Sequence, residues 1–148
     1  MATPVQVQTP RFSNVLEVAP AEPAVAAGHF AAKLQFETDP SDVHADLQKG
    51  LPGIVVVDTR RPESYAKAHV PGAVNLPYRT ITAESTAKLD RNAVYVCYCA
   101  GIACNASTKG ALRLASLGFK VKEMLNGIEG WKAEGYPLAT GTEPGALN

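Results

Sequence analysis

The chain's best candidates for chemistry are three cysteines in one short stretch: Cys97, Cys99 and Cys104. A cysteine thiolate is a strong nucleophile, and it forms near neutral pH where neighbouring groups lower the thiol pKa. A zinc site is not expected, because no second Cys or His pair stands at zinc-binding spacing. An odd number of clustered cysteines also differs from the disulfide framework of a secreted protein. The cysteines therefore predict nucleophilic sulfur chemistry without a metal or a cofactor.

Cys99 is the strongest candidate of the three, because it stands where a buried strand gives way to a loop of small residues. Glycine in such a loop can adopt positive φ at little cost, so the backbone can curl tightly. If the loop wraps around the sulfur, its N–H groups and the start of the next helix converge on that atom. This arrangement predicts a lowered pKa and a stabilised persulfide anion. The predicted active-site loop after Cys99 is Ala100, Gly101, Ile102, Ala103, Cys104, Asn105, Ala106 and Ser107.

The other two cysteines have different predicted roles. Strand alternation turns Cys97 and Cys99 to the same side of the sheet, and Cys97, which lies deeper, is expected to pack in the core. Cys104 has two open interpretations. It could approach Cys99 closely enough to form a disulfide and resolve a persulfide or sulfenate there. Alternatively, it fills a small space under the following helix.

The elements that must position this loop alternate along the chain. The run Ile54 to Asp58 has no polar alternation and is rich in β-branched residues, which is typical of a buried parallel strand. Leu34, Phe36 and Thr38 alternate like a short strand, and Ser41 is a plausible helix N-cap. Further strands are predicted at 73–77, 93–99 and 120–125, and helices at 24–33, 42–49, 62–69, 107–117 and 127–135.

Alternating strands and helices predict an α/β fold with a parallel sheet covered on both faces. In such folds, ligands bind outside the carboxyl ends of the strands. The loop after Cys99 lies at that edge, and so do the polar residues that end the earlier strand, Asp58 and Arg60. The sequence therefore places its candidate chemistry at one edge of the sheet.

Length and charge narrow the range of functions. The chain has 148 residues, which is the size of one domain, and its formal net charge is zero. General attraction to nucleic acid or to anionic lipid is therefore not expected. No stretch is apolar enough for a membrane span, and the first residues lack a secretion leader, so a cytoplasmic location is expected.

The predicted organisation is a flexible N-terminal arm at residues 1–23, a folded domain at 24–140 and a flexible tail at 141–148. Prolines among polar and small residues favour the extended arm. The arm could dock on a partner protein or on a second copy of the chain to make a homodimer.

Three separated segments together resemble the rhodanese family: DTRRPESYAKAHVPGAVNLP, YVCYCAG and GFKVKEMLNGIEGWKAEGYPL. The resemblance spans roughly residues 36 to 138, and its segments agree in order as well as in sequence. It implies a three-layer fold with a five-stranded, mostly parallel sheet flanked by helices.

The resemblance also implies a function. Cys99 matches the family's nucleophile, which takes sulfane sulfur from thiosulfate or a persulfide donor and passes it to cyanide or a thiol. Asp58 and Arg60 match the family's residues at the active-site mouth, where they support the loop.

The loop departs from the commoner family pattern, which ends in an Arg or similar cation. Here Cys104 and Asn105 stand in that region and the loop is longer. Lys109 or Arg113 of the following helix could supply the missing charge, although a lysine at a helix start is often only solvated.

Two other functions stay open: a rhodanese-like binding or signalling module with an idle Cys99, and a thiol-disulfide redox protein that uses Cys99 and Cys104. His69, before a Pro-Gly turn, is expected to be structural.

Overall fold

The computed structural model describes residues 1–4 and 12–147 of the chain. Two units are distinguished, residues 1–32 and residues 33–148. The stretch 5–11 of the predicted arm and the last residue of the predicted tail lie outside the described residues. Helix α1 (Pro23–Phe36) is the first regular element among the described residues. None of the helices in these described parts has the length and apolar character that crossing a bilayer requires.

The second unit is built on a five-stranded sheet in which every neighbouring pair is parallel. The spatial order is β1-β5-β4-β2-β3, so β4 occupies the centre. The strands are β1 (Glu37–Thr38), β2 (Ile54–Asp58), β3 (Val74–Asn75), β4 (Val94–Tyr98) and β5 (Lys120–Met124). The predicted α/β class and the five-stranded parallel sheet are confirmed.

Helices connect the strands. They are α2 (Pro40–Gln48), α3 (Pro62–Lys67), α4 (Ala106–Ser116) and α5 (Gly127–Ala133), with a single 3₁₀ turn at Tyr78–Thr80. Helix α4 packs against β4 and β5, and α2 contacts α5. The helix between β4 and β5 therefore begins within the predicted active-site loop, whose last two residues form its first turn.

The core has two halves, one on each face of the sheet. Val57 and Cys97 lie in one half with Leu114 of α4. Val56 lies in the other half with Trp131 of α5. Successive residues of a strand point to opposite faces, so a strand covered on both sides must be apolar throughout. This is why the run that ends at Asp58 lacks polar alternation.

Two local predictions were wrong. Leu34 and Phe36 belong to α1 rather than to a strand, and their side chains are 71% and 67% exposed. The N-cap of α2 is Asp39, whose carboxylate accepts a hydrogen bond from the backbone N–H of Asp42 at 2.9 Å. Pro40 takes the first helical position, where a missing N–H costs nothing, so the cap falls before Ser41.

The end of the chain is hydrogen-bonded to the segment between α3 and β3. The N–H of Gly141 donates to Ala66, and the N–H of Gly72 donates to the carbonyl of Pro144, each at 2.8 Å. His69 is fully buried, with its Nε2 3.0 Å from the same Pro144 oxygen. His69 thus lies in a structural contact, and the mobility of residues 141–147 stays a prediction.

Candidate active site

Cys99 directly follows β4 and lies against the first turn of α4. Only 2% of its surface is exposed. Its Sγ lies 3.2 Å from the carbonyl oxygen of Cys104 and 3.2 Å from Oγ of Ser107. The sulfur is therefore buried among polar atoms of its own loop rather than in hydrocarbon.

Ser107 connects the sulfur to a carboxylate that the sequence did not single out. Its hydroxyl donates to Glu123 Oε2 at 2.9 Å, and the hydroxyl of Thr108 donates to the same oxygen at 2.6 Å. While the Ser107 proton faces Glu123, its oxygen is free to accept the proton of the Cys99 thiol. Because Thr108 also holds Glu123, Ser107 can turn its proton toward a sulfur anion without leaving the carboxylate unbonded.

The start of α5 fixes the beginning of the loop. The N–H groups of Ile128 and Glu129 donate to the carbonyls of Cys99 and Ala100 at 3.0 and 2.9 Å. These are N–H groups of a first helical turn, which have no partner within their own helix. Cys99 is therefore held at its backbone by α5 and at its side chain by Ser107 of α4.

The predicted lowering of the Cys99 pKa is wrong for this structure. Burial raises the pKa of the Cys99 thiol, and hydrogen bonds from the side chain and backbone of Ser107 only partly offset that effect. Interaction with the Cys104 thiol raises it further. The main physical reason is burial, which disfavours the charged thiolate of a residue that is only 2% exposed.

The lowered pKa belongs to Cys104 instead. Burial alone would raise the pKa of this thiol, but hydrogen bonds with the backbone of Ala106, with Cys99 and with the backbone of Ala100 lower it, as does the charge of Arg60. Cys104 is half-buried and therefore keeps contact with solvent. Hydrogen bonds with the loop backbone thus favour the thiolate of Cys104, the second cysteine of the loop, over that of Cys99.

Iodoacetamide should therefore label Cys104 at a lower pH than Cys99. A lowered pKa gives the reactive thiolate at lower pH, and a raised pKa delays it. Cys97 is an internal control, since burial first and the charge of Glu123 second raise its pKa to about 12. Site-resolved mass spectrometry after labelling from pH 5 to 10 measures the order. Labelling of Cys99 ahead of Cys104 would contradict it, and Cys97 should react only on unfolding.

A pocket of about 420 Å³ opens beside the loop. Among the described residues that line it, three are arginines and none is a carboxylate: Thr59, Arg60, Arg61, Ser64, Pro77, Tyr78, Arg79, Ala100, Cys104 and Ala106. Cys104 is in this lining and Cys99 is not. The pocket is thus suited to an anion, and Cys104 is the cysteine in its lining.

Asp58 and Arg60 form a buried ion pair behind the pocket. The carboxylate is fully buried, and it accepts hydrogen bonds from Arg60 Nη2 at 2.7 Å and from the Tyr98 hydroxyl at 2.8 Å. The Arg60 guanidinium also donates to the carbonyl of Ala68 at 2.6 Å. Arg60 thus lines the pocket while its charge is paired with Asp58, and the role of both residues in supporting the loop stays a prediction.

The predicted cations of α4 lie close to the pocket without lining it. Lys109 Nζ is 5.3 Å and Arg113 Cζ is 5.6 Å from the centroid of the Tyr78 ring, which forms part of the pocket wall. Arg61 and Arg79 line the pocket itself, and the sequence did not single them out. Arg61 follows β2 and Arg79 follows β3 in the sequence. No spacing pattern indicates that two residues so placed meet in the fold.

Some of the other predicted loop residues line the pocket or are buried, and the rest are exposed. Ala100 and Ala106 line the pocket, and Gly101 is buried, with its carbonyl accepting from the N–H of Cys104 at 3.1 Å. The exposed members are Ile102, Ala103 and Asn105. Ile102 is 87% exposed. The pocket side of the loop is thus formed by its first residues and its last ones.

The sequence of this chain also matches known proteins. Residues 39–134 match the family described as Rhodanese-like domain. Thiosulfate sulfurtransferase GlpE of Pseudomonas putida is 33% identical over 108 residues, which are 72% of this chain and 93% of that protein. The HTH-type transcriptional regulator Rv0324 of Mycobacterium tuberculosis is 33% identical over 93 residues, 62% of this chain but 40% of the regulator.

A solved structure is also similar to this chain. The BH2092 protein from Bacillus halodurans is 42% identical to this chain, with a TM-score of 0.79 over 82% of this chain and 88% of that one. The family match includes the elements from α2 to α5. It therefore includes the loop that carries Cys99 and Cys104. The chain belongs to the rhodanese-like domain family.

Proposed function

We propose that the protein is a sulfurtransferase that carries sulfane sulfur as a persulfide on Cys99. The observation that carries the proposal is the position of Cys99 at the carboxyl end of the central strand, next to a pocket lined by arginines. The chain is 33% identical to a thiosulfate sulfurtransferase over nearly the full length of that relative, which supports the same class of reaction. Three free thiols suit a cytoplasmic location, where thiols stay reduced.

In the first half-reaction, sulfur bound as the Cys99 persulfide derives from an anionic donor such as thiosulfate or an organic persulfide. With thiosulfate, a thiolate attacks the outer sulfur, the sulfur–sulfur bond of the donor breaks and sulfite leaves with the bonding electron pair. Arg61 and Arg79 attract the donor and balance its charge as the leaving group departs.

In the second half-reaction, an acceptor removes the outer sulfur. Cyanide attacks that sulfur, thiocyanate leaves and Cys99 returns to its thiolate; a thiol acceptor would leave as a persulfide. The hydroxyl of Ser107, 3.2 Å from Sγ, supplies a hydrogen bond to the sulfur in the anionic state. Residues 24–140 would form the catalytic domain, with the arm available for a partner or a second copy.

Thiosulfate treatment should add one sulfur atom to Cys99, and cyanide should remove it as thiocyanate. Mass spectrometry of the peptide that contains Cys99 measures the gain and its reversal. In the Cys99→Ser variant no sulfur should be found on residue 99, while Cys97→Ala, which lacks a buried core thiol, should behave as wild type.

If neither thiosulfate nor an organic persulfide adds sulfur to wild-type Cys99, the sulfurtransferase proposal is wrong. The binding or signalling module and the thiol-disulfide redox protein then remain, and the match of 93 residues to part of a transcriptional regulator favours the first of them.

A further inference from the structure

The two cysteines of the loop differ in what they face. Cys104 lines the pocket and is half-buried, whereas Cys99 does not line it and is 2% exposed. A donor that occupies the pocket therefore reaches Cys104 before it can reach the buried Cys99.

The same two residues are in direct contact. Sγ of Cys99 lies 3.2 Å from the carbonyl oxygen of Cys104, so it touches the residue that lines the pocket. The two thiols also interact, which raises the pKa of Cys99 and lowers that of Cys104. The pocket therefore presents the cysteine with the lowered pKa, and the neighbouring cysteine, which does not line the pocket, has the raised one.

We infer that Cys104 is a second catalytic residue, the thiol that first accepts sulfane sulfur from a donor in the pocket and then passes it to Cys99. This inference rests on the proposed function, because it concerns how sulfur reaches Cys99. It assigns a relay of two cysteines to a loop whose family resemblance singles out one.

The first step takes place in the pocket. The Cys104 thiolate attacks the outer sulfur of the donor, a bond forms between the two sulfurs, and the donor's own sulfur–sulfur bond breaks. With thiosulfate the leaving group is sulfite, which departs with the bonding pair beside Arg61 and Arg79. The product is a Cys104 persulfide anion. The Cys104 thiolate and thiosulfate together carry the same total charge as the persulfide anion and sulfite, so no further reagent is needed.

The second step moves the sulfur inward. Sγ of Cys99 attacks the outer sulfur on Cys104, the bond between that sulfur and Cys104 breaks, and the Cys99 thiol proton passes to Cys104 as its sulfur leaves. The products are a Cys99 persulfide anion and a Cys104 thiol. One sulfur atom and one proton have exchanged places, with no net oxidation or reduction.

The arrangement gives each cysteine a separate task. Cys104 has the exposure and charge surroundings of a nucleophile, including the nearby charge of Arg60. Cys99 has the contact with Ser107 and little access to water, which protects a bound persulfide from stray reaction.

The relay is tested by locating sulfur after mixing with thiosulfate, using quenched samples and site-resolved mass spectrometry. In Cys99→Ser the sulfur should stop on Cys104. In Cys104→Ser, loading of Cys99 at pH 7 should be slower by about tenfold or more, because a positioned nucleophile is lost. Cys97→Ala should load at the wild-type rate. Cys104→Ala and near-UV circular dichroism guard against a folding defect in the serine variant.

The pH dependence provides a readout that a structural role would not change. Wild-type loading should rise with pH along the ionisation of Cys104, whose pKa is lowered, and loading of Cys104→Ser should rise only at higher pH, along that of Cys99.

Equal loading rates in wild type and Cys104→Ser would overturn the relay and leave the sulfurtransferase proposal intact. Release of hydrosulfide with a Cys99–Cys104 disulfide would also overturn it, since Cys104 would then resolve the persulfide. Absence of sulfur on Cys99 in the wild type would instead refute the proposed function.

Discussion

A Gly127→Ala variant is expected to load sulfur on Cys99 at least about tenfold more slowly than the wild type. Gly127 has φ +48°, and a Cβ added there would overlap the carbonyl group of Cys99. The left-handed conformation costs an alanine about 1 kcal/mol, and the overlap is relieved only by moving backbone. Since misplacing a reacting group by about 1 Å can lower a rate about 100-fold, loading should fall even where the fold survives.

Gly135→Ala is the matched control, because Gly135 also has positive φ, at +75°, but a Cβ added there meets nothing within 4 Å. It should lose about 1 kcal/mol of stability and keep the wild-type loading rate. Urea unfolding measures the first quantity and mass spectrometry of the Cys99 peptide the second. Equal loading rates in the two glycine variants would show that contact between α5 and the loop does not position Cys99.

An Asp58→Ala variant is expected to lose about 3 to 5 kcal/mol of unfolding free energy. The carboxylate is fully buried and bonds both to Arg60, whose side chain is 13% exposed, and to the Tyr98 hydroxyl. Removing it leaves a largely buried guanidinium without its counter-charge. The loss of free energy comes mostly from that stranded charge, so it should depend on Arg60 being present.

The double variant Asp58→Ala with Arg60→Met should therefore recover part of the loss, because it removes both partners of the ion pair. Glu84→Ala, at an exposed acid, should stay within about 0.5 kcal/mol of wild type. Urea unfolding at pH 7 measures all three variants. A double variant no more stable than Asp58→Ala would mean that cavity formation, rather than an unpaired charge, dominates the loss.

The sheet was predictable from sequence because its central strands are covered on both faces. The strand predicted at residues 54–58 is β2 without change, since each of its side chains has a helix or a neighbouring core residue to meet. The short edge strand β3 is shorter than the predicted 73–77, because few of its groups pair with β2.

The two misread segments failed for local reasons. Leu34 and Phe36 alternate with polar residues, and alternation normally reports a half-buried strand, but both side chains are exposed on a helix. Asp39 and Ser41 are equally good capping residues, and only the position of Pro40 in the first turn selects Asp39.

The candidate site was predictable in position but not in electrostatics. The loop after Cys99 followed from the strand order and from the family resemblance. The directions of the two thiol pKa shifts depend on burial and hydrogen bonds within the folded loop. The pocket also brings together Arg61 and Arg79, which are separated by β3 in the chain. No spacing rule connects such segments before the fold is known.

The hydrogen bonds from Ile128 and Glu129 to the carbonyls of Cys99 and Ala100 also set when the site can exist during synthesis. A ribosome-bound chain that has not yet released α5 has the two thiols but lacks the anchor that positions the first of them. A nascent chain therefore holds both thiols before it holds the contacts that fix the carbonyl of Cys99.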